Sequence, residues 1–234
     1  MKVDPGKYNK NQKAFQSAIE KIYSRYPQGV TLSGEYAYFI DKDILKLLIR
    51  FARYKFVARI LNETDRVLEV GCGSGIGSIF LSQHAKHVTG IDIKTTEIDD
   101  AKKVCLRKNV SFKVVDLYDM PANQKFDVVC ALDVIEHFSA NEGKKMIAEM
   151  AKHVKKFGML IIGSPSVYSY PYQSRLSRTS HIKCYDQHEL VDLIGNFFSR
   201  TLAFSMNDEI VHTGHPKLAW YYFVIAMHPK IKDK

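Results

Sequence analysis

Glycine occupies every second position from residue 71 to residue 77, directly after a short apolar run. The run is Val67–Val70, with Glu69 inside it, and the glycines are Gly71, Gly73, Gly75 and Gly77. Alternate glycines let the main chain turn tightly and leave backbone N–H groups open to a ligand. A helix is predicted from about Ser74, so the loop ends at the positive pole of a helix, which suits an anionic group.

Two other glycine-loop chemistries are excluded by residue type. The dinucleotide pattern G-x-G-x-x-G would need glycine at position 76 or 78, where the chain has Ile76 and Ser78. The Gly-Lys-Ser/Thr ending of a triphosphate-binding loop does not occur. A second apolar run ends in Asp92, followed by Ile93. A carboxylate at the tip of a second strand can accept hydrogen bonds from ribose hydroxyls, so a nucleoside ligand is expected.

Side chains that bind protons or metal ions follow a later apolar run. Asp133, Glu136 and His137 lie at i, i+3 and i+4, which predicts that they share one face of a helical turn. His181 lies in a later polar segment that is expected beside them. Carboxylates mixed with imidazoles suit Mg²⁺, Mn²⁺ or Zn²⁺. The alternative is a metal-free site in which His137 or His181 acts as the base.

The stretch E-V-G-C-G-S-G resembles motif I of the class I S-adenosylmethionine (SAM)-dependent methyltransferases. Asp92, the pair Asp116-Leu117 and the D-V-I-E-H segment match the next strand tips of that family in order. The resemblance covers roughly residues 50 to 230. It implies that the protein is an enzyme that binds SAM and transfers its methyl group.

The resemblance also implies roles for individual residues around SAM. Glu69, Gly71 and Gly73 would shape the pocket, Asp92 with Ile93 would hold the ribose, Asp116 with Leu117 would hold the adenine, and Leu132 with Asp133 would border the methionine arm. For Glu69, the alternative is that its carboxylate accepts hydrogen bonds from backbone amides of its own loop. Arg53, in the run R-Y-K-F-V-A, would meet the cofactor carboxylate, with an exposed arginine on an amphipathic helix as the alternative.

The later histidine carries a further resemblance. The order Asp-x-x-Glu-His with a distant histidine is similar to the divalent-metal site of small-RNA 2′-O-methyltransferases and ubiquinone-pathway O-methyltransferases. It implies four ligands, which are Asp133, Glu136, His137 and His181. The first ligand of this chain is Asp rather than Glu, which gives a shorter reach.

These residues need a scaffold of alternating strands and helices, and the chain supplies that pattern. Strands are predicted at 67–70, 87–91, 110–115, 126–132, 158–163, 200–206 and 218–227. Helices are predicted at 11–26, from 41 or 43 to 61, from 74, and at 95–108, 139–155 and 186–198. The βαβ order predicts a parallel sheet with right-handed crossovers. The resemblance implies a Rossmann-like, seven-stranded, mostly parallel sheet with an antiparallel last strand and helices on both faces.

Two segments stand outside this core. Residues 1–60 are predicted to form an N-terminal helical lid, with 34–39 as an aromatic link, and residues 61–234 to form the SAM-binding domain. Residues 164–184 are predicted to be a polar loop, too long for a simple connector and therefore functional. It carries Tyr168, Tyr170, Tyr172, Arg175 and Arg178, which suit a sugar or nucleotide bearing phosphate. Core packing of some tyrosines is the alternative.

The composition of the chain limits the kinds of partner and the location that are expected for it. The formal net charge of +9 favours an anionic partner such as a phosphorylated glycan, although scattered lysines also suit a solvated surface. The cysteines form no C-x-x-C pair, which predicts reduced thiols and a cytoplasmic location. The longest apolar run, 218–227, is too short to span a membrane, and no signal peptide is predicted. No dedicated nucleic-acid module is recognised.

The chain, including F-S-M-N-D-E-I-V-H-T-G, resembles methyltransferases encoded with bacterial surface-polysaccharide genes. The predicted reaction is O-methylation of a sugar, a phosphorylated glycan precursor or another small hydroxyl compound. Two alternatives stay open: 2′-O-methylation of RNA ends, and a non-catalytic subunit that binds the nucleotide. Oligomeric state does not follow from the sequence.

Overall fold

The computed structural model describes residues 9–230, apart from the side chain of Leu176. The chain divides into two units, Met1–Thr31 and Leu32–Lys234. Helix α1, Lys10–Arg25, belongs to the first unit and begins with a capping box between Asn9 and Gln12. The boundary of the lid at residue 60 stays a prediction, because the separation of the two units at residue 31 does not show which segment covers a substrate.

The second unit is built on one eight-stranded sheet. Its strands are β1 Arg66–Val70, β2 His87–Asp92, β3 Val110–Val114, β4 Phe126–Leu132, β5 Val154–Pro165, β6 Phe198–Asn207, β7 Ile210–His212 and β8 Tyr221–Pro229. Their order in the sheet is β3-β2-β1-β4-β5-β8-β6-β7. Strands β1 to β5 are parallel, and β8 is antiparallel to both neighbours, β5 and β6. The Rossmann-like, mostly parallel sheet is therefore confirmed.

The predicted number of strands, seven, is wrong by one. The additional strand is β7, which pairs antiparallel with the end of β6 through only three residue pairs. Asp208, at φ 49°, forms part of the turn between them. A three-residue edge strand is too short to produce a recognisable alternation of apolar and polar residues.

Helices cover both faces of the sheet, as predicted. They are α2 Gly34–Lys42, α3 Ile44–Ala58, α4 Ile76–Leu81, α5 Thr95–Val104, α6 Ala140–His153, α7 Arg175–Ser180 and α8 Gln187–Gly195. Alternate residues of β4 face opposite sides: Val129 belongs to the core cluster that includes residues of α6 and α8, and Val128 to the cluster that includes residues of α3 and α4. Within residues 9–230, no helix combines the length and apolarity needed to cross a bilayer.

Two predicted loops contain helices instead. Residues 34–39 lie in α2, where the Arg50 guanidinium packs over the rings of Tyr36 and Phe39 at 5.9 and 4.9 Å. Residues 164–184 begin with the end of β5 and contain a 3₁₀ helix, Val167–Tyr172, and α7. Both segments are short, so their pattern carries little information and their conformation depends on tertiary contacts.

Candidate functional site

The predicted site residues converge on the carboxyl edge of the parallel strands. Strand β1 lies between β2 and β4, so the chain order reverses there, and ligands of open α/β sheets bind in the crevice at such a point. Glu69 lies on β1, Asp92 ends β2 and Asp133 follows β4. The sheet topology thus gathers residues that are far apart in sequence.

The glycine loop is fixed to β2 by its own main chain. The N–H groups of Gly71 and Cys72 both donate to the carbonyl of Ile91, at 2.9 and 3.0 Å. The N–H of Gly73 donates to Oδ2 of Asp92 at 3.0 Å, while the N–H of Lys94 donates to Oδ1 at 2.9 Å. Asp92 is therefore held in a defined position beside the loop.

Gly73 is the open point of this loop. It has φ 50°, and a Cβ built on it would meet only Glu97 Oε2, at 3.8 Å. Gly77 is the opposite case, because a Cβ there would lie 2.1 Å from the ring of Tyr54. Gly77 is thus required by internal packing, whereas Gly73 leaves room for a ligand beside its backbone. The helix after the loop, α4, begins at Ile76, slightly later than predicted.

Glu69 is a buried carboxyl group beneath the loop. Its Oε2 accepts a hydrogen bond from the Ser78 hydroxyl, and its Oε1 has no hydrogen-bond partner among the described residues. Burial raises the pKa of Glu69 to about 7, opposed by the hydroxyls of Ser78 and Tyr54. Its partner is therefore a hydroxyl of α4 rather than the backbone amides of its own loop.

The predicted adenine residues lie next to Asp92. The N–H of Val115 donates to the carbonyl of Asp92 at 3.1 Å, so the end of β3 meets the end of β2. Asp116 then accepts from the N–H of Tyr118 at 3.0 Å, and Leu117 is buried. Ile93, the neighbour of Asp92, is 68% exposed. An exposed isoleucine next to a strand-tip carboxylate offers an apolar surface to a ligand.

Arg53 and Asp133 bind each other. Arg53 Nη1 and Asp133 Oδ2 are 2.5 Å apart, and the guanidinium also packs over the ring of Tyr221 at 4.0 Å. Asp133 has φ 58° and its N–H donates to the carbonyl of Gly163. Leu132, which precedes it, is buried. Asp133 therefore lies in a left-handed kink, and the prediction that it shares a helical turn with Glu136 and His137 is wrong.

Three of the four predicted metal ligands come together. One ligand atom from each of Glu136, His137 and His181 lies within 4.8 Å of the others, and Asp133 is absent from this group of described residues. The two imidazole rings meet edge to face, with centroids 5.2 Å apart. The N–H groups of Ile182 and Lys183 donate to the carbonyl of Glu136, which fastens the segment that carries His181 to the turn after β4.

Burial controls the charge of this group. Glu136 is fully buried, which raises its pKa well above the usual value, and the nearby Asp133 adds to the rise. Its Oε2 accepts from the Ser164 hydroxyl at 3.3 Å, and its Oε1 has no partner within residues 9–230. Burial lowers the pKa of His181, and His137 lowers it further. A buried oxygen without a partner beside two imidazoles fits a site that binds a cation.

An aromatic pair lies at the same edge of the sheet. Tyr172 and Trp220 have ring centroids 5.6 Å apart at an interplanar angle of 31°, although they are 73% and 55% exposed. Tyr172 precedes Gln173, which bonds to His181, and Trp220 precedes Tyr221, which packs under Arg53. No site role is predicted from the sequence for Trp220 or Tyr221. Their only distinguishing mark in the sequence is the run Trp-Tyr-Tyr at the start of the last strand.

Comparison with known proteins identifies part of the chain. Residues 67–158 match a family model described as a methyltransferase domain. A ubiquinone biosynthesis O-methyltransferase of Coxiella burnetii is 30% identical over 121 residues, covering 50% of this chain and 51% of that protein. A magnesium-protoporphyrin O-methyltransferase of Rhodobacter capsulatus is 36% identical over 90 residues, covering 37% and 40%. The chain thus spans about half the length of the curated relatives it matches, or less.

Solved structures agree in fold. The N-methyltransferase NodS from Bradyrhizobium japonicum, in complex with S-adenosyl-L-homocysteine, has a TM-score of 0.60 at 17% identity, covering 78% of this chain and 88% of that one. A possible histamine N-methyltransferase from Thermotoga maritima has a TM-score of 0.66 at 15% identity, covering 89% and 98%. These likenesses confirm the fold that the glycine loop predicted.

Proposed function

We propose that this chain, whose residues 67–158 match a family model described as a methyltransferase domain, is a class I SAM-dependent methyltransferase that transfers the methyl group of SAM to a hydroxyl group of a small acceptor. The observation that carries the proposal is the open backbone of Gly73 bonded to Asp92 at the crevice of the sheet. Transfer to oxygen is supported by the two O-methyltransferases that match part of the chain.

In this proposal SAM lies along the edge formed by β1, β2 and β4. Gly73 leaves room beside the backbone, Gly71 turns at φ 70° against the side chain of Val134, and the buried Glu69 supports the loop from below. The residues that contact the nucleoside are proposed to be Asp92 and Ile93 at the ribose, and Asp116 and Leu117 at the adenine. Leu132, Asp133 and Arg53 border the methionine arm, with Arg53 available to its carboxylate.

A histidine is proposed to remove the proton of the acceptor hydroxyl. The sulfonium of SAM already makes the methyl group electrophilic, so the protein has to align the acceptor and accept its proton. His137 is exposed and His181 half-buried, so both rings are accessible to an acceptor. The lowered pKa of His181 supports a neutral ring, which is the form that accepts a proton.

The same residues fit a divalent cation. Glu136, His137 and His181 would hold Mg²⁺, Mn²⁺ or Zn²⁺, since together they offer a carboxylate and two imidazoles within 4.8 Å. When bound, such a cation supplies positive charge that lowers the pKa of a nearby hydroxyl. Asp133, paired with Arg53, is not included in this ligand set.

The acceptor is proposed to be a sugar, a phosphorylated glycan precursor or a similar compound with a ring. Tyr172 and Trp220 offer two large exposed ring faces. Arg175 and Arg178 lie on α7, directly after the segment that carries Tyr172, and can bind an anionic group. The net charge of +9 also supports an anionic acceptor.

Two measurements test this function. Binding of S-adenosylhomocysteine should raise the melting temperature of the wild-type chain and not that of Asp92→Ala. Labelled SAM should then be offered with three acceptor pools, which are phosphorylated glycans, catechol-like phenols and RNA. Label in the glycan pool is expected. Label in RNA alone would contradict the acceptor class, and the absence of cofactor binding would contradict the function itself.

The metal is tested first by binding and then by turnover. Titration calorimetry with Mn²⁺ and with Zn²⁺ is expected to give about one site per chain, lost in Glu136→Gln. The exposed Glu63→Gln is the matched control. Unchanged calorimetry in Glu136→Gln would assign the binding elsewhere, and turnover that survives exhaustive chelation would leave the histidine alone as the base.

A further inference from the structure

A series of hydrogen bonds leads from the backbone at Ser166 to His181. In each bond of the series, the donor follows from the roles of the groups in the bond before it. The series starts at the carbonyl of Ser166, which can only accept, so the Ser169 hydroxyl donates to it at 2.7 Å. The oxygen of Ser169 must then accept from Gln173, whose Nε2 lies 3.0 Å away. Gln173 therefore turns its amide oxygen, Oε1, away from Ser169.

That amide oxygen faces His181. Gln173 Oε1 and His181 Nδ1 are 2.8 Å apart. An amide oxygen has no hydrogen to give, so Nδ1 must be the protonated nitrogen of a neutral His181 ring. The remaining nitrogen, Nε2, then carries a lone pair. The carbonyl of Ser166 thus determines, through the side chains of Ser169 and Gln173, which nitrogen of His181 can accept a proton or bind a cation.

His137 is held in the same form by a different partner. Its Nδ1 lies 2.9 Å from the carbonyl of Ser180, which again can only accept. Both rings, when neutral, therefore keep Nε2 free of hydrogen, and one nitrogen of each ring belongs to the group with Glu136. The difference is that a backbone carbonyl fixes His137, whereas a replaceable side chain fixes His181.

We propose that Gln173 is a positioning residue that holds His181 in the Nδ1–H tautomer, with its Nε2 lone pair available to the reaction. The value of that lone pair to catalysis rests on the proposed function. The tautomer itself does not, because it follows from hydrogen bonds within the protein. The hydrogen bonds of Gln173 go to Ser169, Tyr170 and His181, none of which is assigned to the cofactor, so its replacement is expected to leave cofactor binding intact.

The experiment is ¹⁵N-detected NMR of the histidine rings at a pH high enough to keep them neutral. In the wild type, His181 and His137 are both expected to show the Nδ1–H pattern. Gln173→Met removes the acceptor but keeps the length of the side chain, and it should shift His181 toward the Nε2–H form. His137 should not change, which makes it an internal control. Ser169→Ala frees the Gln173 amide to rotate and should give a smaller shift of the same sign.

Two variants separate positioning from damage to the fold. Gln173→Glu keeps an oxygen opposite Nδ1 and should retain the wild-type tautomer. Gln187→Met is the matched control, since the Gln187 amide donates to Ser205 in another part of the unit. An Nε2–H pattern in the wild type, or an unchanged His181 pattern in a folded Gln173→Met, would overturn the proposal.

Turnover gives the second readout. Gln173→Met should lower kcat about 10- to 100-fold, the usual loss when a partner of a reactive or ligating histidine is removed, with S-adenosylhomocysteine affinity unchanged. Gln173→Glu should retain most of the wild-type kcat. If methyl transfer is absent in the wild type while the tautomer pattern holds, the proposed function fails and the role of Gln173 stands. If methyl transfer occurs and the Nδ1–H pattern of His181 is absent, the proposed function stands and the role of Gln173 fails.

Discussion

The two halves of the sheet edge are built by different means. Around the glycine loop, the residues that meet are close in the chain: Glu69 bonds to Ser78, nine positions away, and Gly73 to Asp92, 19 positions away. Around the histidines, His137 bonds to the carbonyl of Ser180 at a separation of 43, and Ser164 to the buried Glu136 at a separation of 28. The cofactor half is therefore a local motif, whereas the acceptor half exists only once the whole sheet has formed.

The largest effect is expected from a pair of variants that separates the two halves. His137→Ala should lower kcat about 10²- to 10⁴-fold if this ring accepts the proton, with S-adenosylhomocysteine affinity unchanged. Asp92→Asn should instead weaken that affinity about 10-fold or more, because a charged hydrogen-bond acceptor is lost. Steady-state kinetics and calorimetry measure the two quantities. The exposed His188→Ala is the control, and a single variant that changes both quantities equally would break the comparison.

The next effect is a pH dependence in the cofactor half. Burial raises the pKa of Glu69 from 4.5 to about 7, so the folded protein holds this proton more tightly than the unfolded chain. The resulting stability is complete below pH 4.5 and is lost as pH rises through about 7. At 1.36 kcal/mol per unit, the loss is roughly 3 kcal/mol.

Urea unfolding of the wild type and of Glu69→Gln, at several pH values between 4 and 8, measures this contribution. The slope of unfolding free energy against pH should flatten in Glu69→Gln, since the amide does not titrate, and should be unchanged in the exposed Glu63→Gln. Equal slopes in all three proteins would show that the pKa of Glu69 is the same in the folded and unfolded states.

Gly73 in the loop and Gly77 in the first turn of α4 should respond differently to substitution. Gly77→Ala drives a methyl group into the ring of Tyr54 and should destabilise the protein by about 1–3 kcal/mol. Gly73→Ala meets open space and only backbone strain, about 1–2 kcal/mol, so its main effect should be weaker cofactor binding. Gly195→Ala, with no atom within 4 Å of its added methyl, is the control. Thermal melts with and without S-adenosylhomocysteine distinguish the cases.

The smallest effect concerns the acceptor. Trp220→Ala should raise the KM for the acceptor about 5-fold and leave kcat nearly unchanged, because one exposed stacking contact contributes about 1 kcal/mol. The exposed Phe157→Ala, on β5, is the matched control. An unchanged KM would remove the aromatic pair from acceptor recognition and leave the histidine assignments intact.

The difference between the halves also explains what the sequence could predict. Glycine spacing and strand-tip carboxylates specify local geometry, so the loop, β2 and β4 were predicted within a residue or two. Asp133 could not be, because its left-handed conformation depends on Gly163 and its carboxylate on Arg53, neither of which is near it in the chain. Trp220 and Gln173 lacked any motif, and only the folded sheet brings them to the edge where His137 and His181 meet.

The start of β8 has a consequence for how this sequence can vary. Trp220 is exposed at the aromatic pair, Tyr221 packs under Arg53, and Tyr222 bonds to Ser166 on the opposite face of the sheet. Because successive residues of a strand face opposite sides, deleting one residue here would move each of the three side chains to the other face of the sheet. A one-residue insertion or deletion inside the start of this strand should therefore be far more disruptive than a substitution of any one of the three residues.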